Sequence, residues 1–76
     1  MNVKVNGEIR QWDVPNISYK DVIELAGKKY EPWFSITYRR AIGYKGSLER
    51  DGILSRDETI PVTEDMIFNA YITNNA

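Results

Sequence analysis

Met66-Ile67-Phe68-Asn69-Ala70-Tyr71-Ile72 is the stretch that decides the fold. Side chains alternate along an extended segment. Met66, Phe68, Ala70 and Ile72 therefore share one face, and Ile67, Asn69, Tyr71 and Thr73 share the other. The first set is wholly apolar and the second is apolar in part. A strand with apolar residues on both faces belongs in the interior of a sheet. Only Thr73-Asn74-Asn75-Ala76 come after it. The expectation is a domain over 1–72 and a short tail over 73–76, with the strand holding the terminal carboxylate out as a chemical handle.

Neighbours for this strand are found by working back along the chain. Val3 and Val5 alternate with Asn2 and Lys4, the period of a half-buried strand. Asn6-Gly7 is a strong hairpin signal, since both residues tolerate positive φ. A second strand is expected from Glu8 to Val14, ended by Pro15, which has no N–H to donate. Two-residue pairing puts Ile9 beside Lys4, on the face opposite Val3 and Val5. For Trp12 and Val14 to reach the core face, a bulge or a longer turn is expected here.

Ser18 reads as a helix N-cap, with Asp21 three residues on. Val22, Ile23, Leu25 and Ala26 make an apolar face, Gly27 supplies a left-handed stop, and Lys28-Lys29 complement the helix dipole. A helix of about two and a half turns is not stable alone, so it must pack on a sheet. Trp33 to Arg40, aromatic and β-branched, reads as the third strand. Residues 41–56 are punctuated by glycine, with Leu48, Ile53 and Leu54 as core anchors. Thr59-Ile60-Pro61-Val62 is a short strand that Pro61 assigns to a sheet edge. Trp12, Phe34 and Phe68 are assigned to the core.

Strand, strand, helix, strand, loop, strand, strand is an α+β arrangement. A hairpin followed by a helix crossing a mixed sheet of four or five strands is the β-grasp order, with the last strand entering parallel to the first. An SH3-like barrel is the other candidate, and a helix so early in the chain argues against it.

Composition narrows the chemistry. The 76 residues allow one domain, with no cysteine for a disulfide, which suits a reducing cytoplasm. From the start, Met1-Asn2-Val3-Lys4-Val5, no secretion signal is expected, and no run approaches the roughly 20 apolar residues of a membrane span. Ten basic and eleven acidic residues give a net charge of -1, which argues against nucleic acid as a partner. Without His or Cys there is no imidazole base, no thiolate and no usual zinc ligand set. The acids Asp51, Asp57, Glu58, Glu64 and Asp65 fall in expected turns, where acids are normally solvated. Neither an enzyme nor a cofactor protein is expected.

Several stretches in this order resemble one family, the bacterial ubiquitin-like domains known as multiubiquitin domains. They are Val5-Asn6-Gly7, Trp12-Asp13, Ile17-Ser18-Tyr19 with Val22 and Leu25-Ala26, Ile36-Thr37-Tyr38-Arg39-Arg40, Gly52-Ile53-Leu54 and Met66-Ile67-Phe68-Asn69. The family often carries Gly-Ser-Leu at a set distance before its final Met-x-Phe-Asn. Gly52-Ile53-Leu54 stands at about that distance, while Gly46-Ser47-Leu48 lies too far upstream, so residues 41–51 read as a lengthened loop.

The resemblance implies a ubiquitin-like β-grasp modifier, with an activating-like enzyme, a conjugating-like enzyme, a JAB-type peptidase and target proteins as partners. It also implies a cytoplasmic, ubiquitination-like pathway linked to phage defence. The activating enzyme would join the carboxylate to AMP and pass it on towards a target amine. Thr73, Asn74, Asn75 and Ala76 stand where ubiquitin and the sulfur carriers have Gly-Gly, which argues against thiocarboxylate chemistry. Three readings of the tail stay open: removal of Ala76 to expose Asn75, use of the tail as it stands, or a module that is not conjugated. Ubiquitin-like domains generally meet their enzymes through the sheet face away from the helix. Here that face would hold Thr37, Arg39, Ile67, Asn69 and Tyr71. Lys4, Lys20, Lys28, Lys29 and Lys45 are the lysines able to accept a further modifier.

Overall fold

Asn6 and Gly7 take φ of 51° and 85°, the left-handed pair that a two-residue hairpin turn requires. They join β1 (Asn2–Val5) to β2 (Glu8–Gln11) in register Val5↔Glu8, Lys4↔Ile9 and Val3↔Arg10. The chain is described by a computed structural model, over residues 1–40 and 51–72. The hairpin pairs without slippage, so the expected bulge is absent. Ile9 stays on the outward face, 65% exposed. β2 stops at Gln11, short of Val14; Trp12 still donates its backbone N–H to the Met1 carbonyl at 2.9 Å, and its indole N–H donates to the Asn16 carbonyl. Trp12 is half-buried against the core rather than inside it, and Val14 is exposed.

A short β3 (Asn16–Ser18), absent from the sequence reading, leads directly into α1 (Tyr19–Leu25). Ser18 caps the helix in a reciprocal box: its hydroxyl accepts from the Asp21 N–H, and the Asp21 carboxylate accepts from the Ser18 N–H. The helix ends in a Schellman motif, with Lys28 N–H donating to the Ile23 carbonyl and Gly27 N–H to that of Glu24. Gly27 has φ of 75°, as expected. The helix is seven residues, about two turns. Lys28 and Lys29 lie beyond its last turn.

β4 (Phe34–Arg39), β5 (Asp51–Leu54), β6 (Thr59–Pro61) and β7 (Met66–Ile72) complete the chain. The main sheet has the order β2-β1-β7-β4-β5, with β7 parallel to β1 and antiparallel to β4. The strand first singled out is therefore its middle member. β6 pairs with β3 in a separate two-stranded sheet, opposite Asn16–Ser18, rather than edging the main one. In a two-stranded sheet each strand has an open side, which Pro61 tolerates.

The stretch read as a loop over 41–56 contains a strand from Asp51. Ile53 pairs with Thr37 and points outward at 70% exposure, so it is not a core anchor, whereas Leu54 is buried. Leu48 and most of the expected loop lie outside the described residues. Val3, Val5, Ile36, Tyr38, Met66, Phe68 and Ala70 meet Ile17, Tyr19, Val22 and Ile23 in one core between sheet and helix. Phe34 joins that core, while Ile72, assigned to the buried face, is about half exposed because it lies at the end of β7.

Candidate functional site

Alternation along the strands gives the face away from the helix a definite composition. Register brings Arg39 opposite Ile67, Thr37 opposite Asn69, and Ser35 opposite Tyr71. The five residues expected on the outer face thus share it. The face extends further on both sides, with Lys4 next to Ile67 and Ile9 next to Lys4, and with Ile53 next to Thr37. Ile9 and Ile53 were missed as members of this face. For Ile9 the signal was in the sequence, since the two-residue turn alone places it beside Lys4.

Thr37, Arg39, Gly52, Ile53, Ile67 and Asn69 line an open depression of about 610 Å³ on this surface. Ile53 and Ile67 form its apolar flanks. A second depression, lined by Asn2, Lys4, Ile9, Asp65 and Ile67, borders it across the Lys4–Ile67 row. The aliphatic walls stand beside Lys4 and Arg39, both exposed. Among the described residues, no group of three or more carboxylate, His or Cys side chains converges to hold a metal ion. No helix there is long and apolar enough to cross a membrane.

Thr73, Asn74, Asn75 and Ala76, the expected conjugation tail, lie outside the described residues, as does Lys45. The other lysines are spread over the surface. Lys4 stands in the outer face, Lys20 approaches Glu24 at 4.0 Å on the helix, and Lys28 and Lys29 follow the helix end.

One capped helix lying across a mixed sheet, with a parallel central pair formed by the first and last strands, defines a ubiquitin-like β-grasp domain. A sequence model of the multiubiquitin family matches residues 1–74, and the chain belongs to that family. No curated protein and no solved structure matches it.

Proposed function

We propose that this chain is a ubiquitin-like protein modifier, inactive as an enzyme itself, whose carboxylate at Ala76 or, after removal of Ala76, at Asn75 is adenylated and then transferred to amines of target proteins. In this reading the partners are an activating-like enzyme, a conjugating-like enzyme and a JAB-type peptidase, in the cytoplasm of a bacterium and in a pathway linked to phage defence. The observation that carries the reading is family membership over nearly the whole chain, together with the place of β7. That strand is the middle member of the sheet, paired with β1 and β4, and runs to Ile72, immediately before Thr73-Asn74-Asn75-Ala76. A tail following such a strand is presented from a fixed base, and the modifier needs to supply nothing else.

The test is intact mass spectrometry of N-terminally tagged protein made together with the products of its neighbouring genes. Conjugation predicts a species lighter by alanine or heavier species joined to lysine, and predicts their loss when residues 73–76 are deleted with melting unchanged. Adducts that survive the deletion would rule out the tail.

A second reading, a non-conjugated binding module, is favoured by the exposure of Ile9, Ile53 and Tyr71 on one face. It predicts that tail deletion is harmless and that Tyr71→Glu or Ile67→Asp abolishes partner capture.

A further inference from the structure

Asn6 is fully accounted for as a turn residue, yet its side chain has a second set of contacts. β1 ends at Val5, and Asn6 and Gly7 carry the chain away into β2. The Asn6 N–H makes a bond to β7, donating to the Phe68 carbonyl at 3.0 Å. β7 continues past this point, where β1 no longer accompanies it. The N–H and C=O of Ala70 face the vacated side. The Asn6 carboxamide takes both: Nδ2 donates to the Ala70 carbonyl at 3.0 Å, and the Ala70 N–H donates to Oδ1 at 2.8 Å.

A carboxamide offers the same donor and acceptor as a peptide unit. The two bonds lie at a part-buried site beside Ala70, itself 3% exposed, so the carboxamide gives these peptide groups a partner where β1 supplies none. We infer that the Asn6 side chain acts as one further residue of β1 and holds the last strand in place beyond the point where β1 ends. Beyond this clamp only Tyr71 and Ile72 remain, paired with Ser35 and Phe34 on the β4 side.

The clamp distinguishes Asn from the other residues that suit a left-handed turn. Gly tolerates the φ but has no side chain. Ionised Asp can accept from the Ala70 N–H but would set a carboxylate oxygen against the Ala70 carbonyl. Its importance for conjugation rests on the modifier reading above, while the clamp itself can be measured without any enzyme.

Asn6→Gly retains the turn and removes the clamp. Amide hydrogen exchange by NMR on the whole chain should show the Ala70 amide exchanging at least about tenfold faster, the change expected when a single protecting bond is lost without global unfolding. Backbone order at Tyr71 and Ile72 should fall, and amides shared by β4 and β5 should keep their wild-type rates. Asn6→Asp, which keeps the acceptor and loses the donor, should lie between the two, and serves if the glycine variant is too unstable. An unchanged Ala70 amide, or a rise shared equally by every core amide, would overturn the inference.

In the conjugation assay, Asn6→Gly should form adducts several-fold more slowly at equal folded protein. Wild-type adduct rates from a chain with a loosened Ala70 would overturn the positioning role. Absence of adducts from wild type and variant alike would count against conjugation only, because the exchange ratio is read from the isolated chain.

Discussion

The two faces of the five-stranded sheet are made from alternate residues of the same strands, yet they carry different loads. Towards the helix, Val3, Val5, Ile36, Tyr38, Leu54, Met66 and Phe68 are all buried. Away from it lie Lys4, Ile9, Thr37, Arg39, Ile53, Ile67, Asn69 and Tyr71, half-buried or exposed. A domain of this size buries only about 60% of the surface of its unfolded chain, so every aliphatic residue left outside is one the core does not use. Ile9 and Ile53, at the two margins of the outer face, contribute little to folding. The comparison teaches that stability resides on the helix side, and that the outer face can be altered almost independently of it.

The most direct way to break that division is to truncate one residue on each side. Phe68 is 0% exposed, at the centre of β7 and against Tyr38, with ring centroids 6.3 Å apart. Phe68→Ala should cost about 3–5 kcal/mol, a large share of the total for a small domain. Ile53→Thr keeps β-branching and removes exposed apolar surface, and should stay within about 0.5 kcal/mol. Urea titration of both variants reads the contrast. Comparable losses would mean that the outer face supports the fold after all.

Gly52 sharpens the comparison, because it connects the two faces at one position. Tyr38 and Gly52 are cross-strand partners, and the Tyr38 ring lies over the glycine on the helix side. A Cβ at Gly52 would stand 2.9 Å from Tyr38 Cε2 and closer still to Cζ and the hydroxyl. Tyr38 is held in turn by Phe68 and by the Arg40 guanidinium, whose carbon lies 5.2 Å from the ring centre. Gly52→Ala should therefore destabilise by about 1–3 kcal/mol through overpacking. Tyr38→Leu in the same chain should recover part of that loss, an interaction energy that a double-mutant cycle measures. Additive losses would show that the ring is not what excludes the side chain.

The same contact explains what was legible in the sequence. Gly52-Ile53-Leu54 could be placed by spacing, but the reason for its glycine is Tyr38, which lies fourteen positions earlier and across a strand pair. Local patterns of period and capping were enough for β1, the Ser18 cap, the Gly27 stop, β4 and the central place of β7. Contacts made at long range were not readable in this way. The pairing of β3 with β6 depends on two three-residue segments that carry no periodicity. The outer face could be assembled from alternation once β7 was central. Asn6-Gly7 misled in another manner: the hairpin accounted for both residues so completely that the carboxamide's bonds to Ala70 left no trace.

The helix side also contains a titratable group, which gives the comparison its smallest test. Tyr19 is the first residue of α1, and its hydroxyl donates to the Phe34 carbonyl at 2.5 Å, tying helix to sheet. Burial raises its pKa above the ordinary 10.0, the neighbouring Tyr30 adds to the rise, and Arg56 offsets part of it. The folded chain therefore holds the phenolic proton more tightly than the unfolded one. The resulting stability is complete below about pH 10 and is lost as pH rises from there through the folded value. Tyr19→Phe removes the proton and the hydrogen bond together, and should cost about 0.5–1.5 kcal/mol near neutrality. Its deficit against wild type should narrow above about pH 10, since only wild type then has a proton to lose. A Tyr19→Phe deficit that stays constant through the alkaline range would mean that the hydroxyl is not shielded, and that the helix side is more open to water than its packing implies.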